Sequence, residues 1–188
     1  MCPEQLSRMV LKQALVMVLL WLCIVPVPLP ADELDSERGY QLQAAFLYQF
    51  LKFVSWEPEL PAGRFVLCVL SANHQLTRQL QTLDNRNTLW GRIQVRIYPS
   101  QPSSRQFAGC ESAYIDTGFP YESLRGQMVN NQMLTVVRED LSDLQTGIFI
   151  FLIREQKLRF KVNLLEARRR GIRISASLLL LAVEVIEH

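Results

Sequence analysis

The sequence predicts an α/β fold: a single three-layer domain with a mixed, mostly parallel sheet flanked by helices. Two observations predict it. Strand-like apolar runs alternate with helical segments through most of the chain, which requires crossovers and parallel pairing. Two strand-like runs near the end, Gly147–Ile153 and Leu158–Leu164, are separated only by Arg154–Lys157, which signals an antiparallel hairpin.

The elements follow in order. Within Asp35–Trp56, Leu42, Ala45, Phe46, Gln49, Phe50 and Phe53 recur at helical spacing, predicting an amphipathic helix from Ser36 to before Pro58 with its aromatics facing the core. Phe65–Leu70 is a continuous apolar run between Gly63 and Ser71, as in a strand buried on both faces. His74–Leu83 is helical, with Leu76, Leu80 and Leu83 apolar. Ile93–Tyr98 alternates as a less buried strand, and Pro99–Ser104 is a loop. Ser112–Asp116 is a short strand, Tyr121–Gln127 a short helix, Met133–Val137 a strand and Asp140–Leu144 a turn. Leu158–Leu164 runs into a helix that Asn163 caps, with Glu166 at the capping-box position and Gly171 beyond the basic last turn. Ser175–Ile186 reads as a final helix, apolar over more than one face, part of which is buried or meets a partner.

Composition excludes several classes. The 188 residues, 49% apolar and 20% charged, suffice for one folded core and rule out a disordered chain. A formal net charge of +2 implies no nucleic-acid partner. At the N-terminus, Arg8 and Lys12 precede the apolar run Ala14–Val25, which Pro26, Pro28 and Pro30 break. That order is a secretory signal, and the run is short of the ~20 residues that span a bilayer. Residues 1–31 are read as a signal peptide cleaved after Ala31, leaving 32–188 as the domain; Leu22 before Cys23 argues against lipidation.

Cys2 and Cys23 leave with the signal, so Cys68 and Cys110 remain, an even number in an oxidising compartment. A disulfide between them is expected, worth roughly 4 kcal/mol on chain entropy; the alternative is two buried thiols. Two cysteines are too few for structural zinc, and no metal-ligand spacing occurs.

Catalytic machinery is not legible. His188 is terminal, and His74 beside Asn73 suits a helix start better than a general base. No glycine-rich phosphate loop occurs, and acid pairs such as Glu139/Asp140 and Glu57/Glu59 suit solvated surface. No catalytic residue, metal or cofactor is expected. The basic cluster Arg168, Arg169, Arg170 and Arg173 suits either a helix C-terminus or a partner surface.

Five segments resemble one family in order and spacing: AAFLYQFLKFVSW (Ala44–Trp56), FVLCVL (Phe65–Leu70), GRIQV (Gly91–Val95), AGCESAYID (Ala108–Asp116) and RFKVNLLEARRRGIRIS (Arg159–Ser175). Together they resemble the YfiR-like family of periplasmic proteins from about residue 38 to 185. The resemblance implies a small, dimerising α/β regulator without enzymatic activity, whose first-strand cysteine pairs downstream, here Cys68 with Cys110. It also implies the partners: a regulated inner-membrane diguanylate cyclase, bound through its periplasmic part, and an OmpA-like outer-membrane lipoprotein that relieves the repression. The output is cyclic-di-GMP, hence biofilm against motility. This chain departs in one respect. The best-known member has a second disulfide near the hairpin, and no cysteine lies between Ser112 and His188 here.

The expected function is therefore a periplasmic regulator of a cyclase. Its partner surface is expected at Leu165, Arg168, Arg169, Ile172 and Arg173, where apolar anchors and arginines mix. The alternative is a periplasmic small-ligand sensor using Ser71 and Asn73 at the strand carboxyl ends.

Overall fold

In this computed structural model the structure describes residues 33–100, 103–119, 126, 132–139 and 147–187. A single 3-10 turn, Glu33–Asp35, leads to α1 (Glu37–Phe50). Ser36 caps α1, its hydroxyl accepting from the Gly39 amide at 2.9 Å. Tyr40, Ala44, Leu47 and Phe50 recur on one side and are buried. The helix stops earlier than the sequence suggests. Val54–Trp56 instead forms β1, with Val54 and Trp56 inward and Ser55 outward. The apolar period of the helix runs on through Phe53, which hides the change.

The next elements are β2 (Gly63–Leu70), α2 (His74–Gln81), β3 (Asn87–Thr88), β4 (Gly91–Tyr98), α3 (Ser104–Phe107), β5 (Ser112–Ile115) and β6 (Leu134–Arg138). Then come β7 (Phe149–Arg154), β8 (Lys157–Asn163), α4 (Leu164–Arg169), β9 (Ile172–Ile174), α5 (Ala176–Leu179) and β10 (Glu184–Ile186). The expected segments Tyr121–Gln127 (apart from Gly126) and Asp140–Leu144 lie outside the described residues.

Eight strands form one sheet in the order β10-β8-β7-β6-β5-β2-β4-β3. β4, β2, β5, β6 and β7 run parallel, β10 runs parallel to β8, and only β3–β4 and β7–β8 are antiparallel. The sheet is thus mixed and mostly parallel, as the alternation of elements requires. β1 and β9 form a separate antiparallel ribbon.

Strand alternation divides the core between the two faces of the sheet. On one face Phe65, Leu67 and Val69 of β2 join Tyr114, Phe149, Phe151 and Phe160 beneath α1 and α2. Phe50 of α1 stacks on Phe149 with ring centroids 4.0 Å apart, so the aromatic run of α1 is core. On the other face Val66, Cys68 and Leu70 meet Phe107, Ala113, Ile115 and Val137. There Cys68 and Cys110 form the expected disulfide, with Cα atoms 5.8 Å apart. It ties the chain after α3 to the central strand.

The β7–β8 turn places both Glu155 (φ 53°) and Gln156 (φ 58°) in left-handed conformation. Two-residue hairpins of this geometry favour Asn-Gly, because L residues carry a penalty there. Replacing the pair by Asn-Gly is expected to raise the unfolding free energy by about 1 kcal/mol, read by urea denaturation. An unchanged midpoint would show that the penalty is already relieved.

The end of the chain differs from expectation. Ser175 caps α5, accepting from the Leu178 amide at 3.3 Å, but the helix is short. Val183 then donates to the Phe160 carbonyl at 3.0 Å, and β10 pairs with β8. Val183, Val185 and Ile186 are β-branched and suit a strand. Leu180 remains 86% exposed on the turn.

Lys161 of β8 joins this edge strand to the sheet. Its ammonium lies 2.8 Å from Glu139 and 3.0 Å from Glu184 of β10. The hydrogen bond to Glu139, then that to Glu184, raises its pKa above the ordinary lysine value, against a smaller desolvation effect. A raised pKa means that the stabilisation is complete below 10.5 and lost as the pH rises beyond it. Lys161→Met is expected to cost no more than about 1 kcal/mol at neutral pH. The difference from wild type should vanish in strongly alkaline urea titrations.

Candidate partner-binding face

The capped helix after β8 builds this face. Asn163 accepts the Glu166 amide at 2.9 Å and starts α4 as the sequence indicates. The Glu166 carboxylate does not turn back to complete a capping box. It is buried and accepts from Arg170 Nε at 3.0 Å. Arg170 Nη1 also donates to the Met133 carbonyl at 2.8 Å and to Thr135 Oγ1 at 3.1 Å. Arg170 is 1% exposed and joins α4 to β6. Of three consecutive arginines, one is therefore internal and two point outward.

Arg168 is exposed. Arg169, with a side chain 65% exposed, lies 3.7 Å from Glu166 across one turn. Gly171 then reverses the chain at φ +66°, and any Cβ there would collide with the Glu57 carbonyl. In β9, Ile172 turns inward and Arg173 outward. Arg173 reaches Glu57 at 2.6 Å across the ribbon. Leu165 is half-buried beside these groups.

The expected surface is thus corrected at one residue. Ile172, 1% exposed and opposite Trp56, belongs to the core because the alternation of β9 sends it there. Leu165, Arg168, Arg169 and Arg173 reach the surface. Phe53, at the end of the same ribbon, is 41% exposed and was hidden within the expected helix. The face presents three guanidiniums with two partly exposed apolar groups. It has the composition of a protein-binding surface.

At the carboxyl ends of β2, β5 and β6, Ser71 and Asn73 belong to a largely buried polar cluster whose other members, Asp35, Tyr40, Asp116 and Arg138, the sequence did not point to. Ser71 Oγ donates to Asp116 at 2.6 Å and accepts from the Asn73 amide at 3.0 Å. Arg138 grips Asp35 through two hydrogen bonds, at 2.5 and 3.2 Å, and lies 3.9 Å from Asp116. Asn73 donates to the Tyr40 hydroxyl at 2.7 Å. Burial, opposed by that hydrogen bond, pushes the Tyr40 phenol above its usual range. The order β4-β2-β5-β6-β7 places a topological switch between β2 and β5, where doubly wound sheets hold ligands. Here Ser71, at the end of β2, and Asp116, at the end of β5, bond directly to each other. Ser71 joins the ends of β2 and β5, and Asn73 caps α2 while holding Tyr40 of α1. A charged residue directly ending an apolar strand, as in Val137–Arg138 and Ile115–Asp116, is the sequence signal for such a cluster.

His74 is the exposed first residue of α2. Among the described residues, no group of three or more His, Cys, Asp or Glu is placed to hold a metal ion. No described helix is long and apolar enough to cross a membrane.

The sequence profile of the YfiR/HmsC-like family matches residues 40–183, from the first turn of α1 to the approach to β10. The chain belongs to the YfiR/HmsC-like family. No curated protein matches it. The YfiR/HmsC-like match takes in β1, β9 and the arginine-bearing corner, together with both cysteines of the disulfide.

Proposed function

We propose that this chain is a periplasmic regulatory binding protein that holds an inner-membrane diguanylate cyclase inactive by binding its periplasmic part, so lowering cyclic-di-GMP. Family membership over 40–183 is the observation that carries this reading. Residues 1–31 act as a cleaved export signal, and residues 32–188 form the regulator, acting as a homodimer without enzymatic activity. Leu165, Arg168, Arg169 and Arg173 contact the partner, with Phe53 at the rim. An OmpA-like outer-membrane lipoprotein competes for the regulator and releases the cyclase. Competition suffices as a switch, because the free energy of one complex is lost when the other forms.

Deleting the gene is expected to raise cellular cyclic-di-GMP, and the wild-type gene to restore it. The Arg168→Glu/Arg169→Glu double variant, folded and exported, should fail to restore it. Charge reversal at an interface commonly costs several kcal/mol through like-charge contact. Unchanged cyclic-di-GMP on deletion would reject the reading, and full complementation by the double variant would move the interface elsewhere.

A further inference from the structure

Arg64 of β2 and Arg92 of β4 stand opposite each other in register. Neighbouring strands lie about 4.8 Å apart and in-register side chains leave the same face, so two like charges are held side by side. Both are exposed, and among the described residues neither guanidinium has an ion-pair or hydrogen-bond partner. They line a groove of about 370 Å³ together with Gln81, Asp84, Asn85 and Gln94. Among the described residues the one acid of the groove, Asp84, forms no ion pair with either guanidinium; it accepts from the Val95 amide at 2.9 Å and from Asn85 Nδ2 at 2.7 Å. Gly63 also lines the groove, and nothing lies within 4 Å of where its Cβ would be, so the space beside Arg64 is open.

We propose that this groove binds a phosphate group through the paired forks of Arg64 and Arg92. Two adjacent guanidiniums match a dianion, and the planar fork matches phosphate oxygens. A bound dianion also offsets the repulsion between the two in-register side chains. The same chemistry is offered by a free phosphate compound and by the headgroup of an anionic phospholipid.

The test measures thermal unfolding of the purified protein in sodium phosphate and in sodium chloride of equal ionic strength. The Arg64→Gln/Arg92→Gln variant is run beside it, because phosphate also stabilises proteins non-specifically. Flotation with phosphatidylglycerol vesicles, against phosphatidylcholine vesicles, is the second readout. Both substitutions are at exposed positions, so the variant should fold and, in chloride, melt at or above the wild-type temperature. A saturable phosphate shift that the variant loses, without flotation, assigns a free phosphate ligand. Flotation on phosphatidylglycerol that the variant loses assigns a lipid headgroup. Equal phosphate shifts for both proteins, with no flotation that depends on the arginines, would overturn the proposal.

Discussion

Arg170→Ala is expected to cost about 3–5 kcal/mol of stability, because it strands a buried carboxylate. Glu166, on the buried side of α4, accepts from Arg170, which also donates to the Met133 carbonyl and Thr135. Removing the guanidinium takes a donor from the Glu166 carboxylate, the Met133 carbonyl and Thr135 Oγ1, of which Thr135 keeps the Ile148 amide, while removing both ends of the pair also removes the stranded charge. Arg170→Met with Glu166→Leu should therefore be much less harmful than Arg170→Ala alone. The neighbouring Arg169→Ala, at an exposed position, should stay within about 0.5 kcal/mol of wild type. Urea denaturation followed by circular dichroism separates the three. Equal effects at Arg169 and Arg170 would contradict the division of this arginine run into internal and external members.

Replacing Cys68 and Cys110 by serine together is the second large effect. Their closed loop separates them by 42 positions, for which chain entropy gives roughly 4 kcal/mol, and measured losses are commonly about 2–5 kcal/mol. Both sites are buried on the sheet's second face, so each serine also places a hydroxyl among apolar groups. The double variant should unfold at much lower urea concentration than the oxidised wild type. Reductant should act slowly on the native protein, since neither sulfur is accessible without opening the fold. An unchanged midpoint, or rapid reduction of the folded protein, would show that the bond contributes little to the native state.

The elements legible in the sequence were those whose local signals agree. β2 is a continuous apolar run, and β8 alternates directly into a capped α4 that Gly171 ends. In each, period, cap and breaker point the same way. Val54–Trp56 and Glu184–Ile186 read as helix in the sequence because Phe53 and the leucines of Ser175–Leu181 extend a helical apolar pattern. Their strand state depends on distant partners, β9 and β8, which no local window contains. The outward arginines of the candidate face were readable from composition, but Ile172 was not placeable without knowing that β9 pairs with β1. Arg170 had a usable signal, its i,i+4 spacing from Glu166. The Asp35–Arg138 pair spans 103 positions of sequence and was not visible.

The most direct measurement is photo-crosslinking in intact cells, with a photo-reactive residue in place of Arg169. The same residue in place of Leu89, which is 79% exposed on the loop between β3 and β4, serves as the control. Regulation of a cyclase through the arginine face predicts capture of an inner-membrane diguanylate cyclase from position 169 and not from position 89. A folded, exported protein that captures no cyclase from position 169, or captures it equally from both positions, would contradict it.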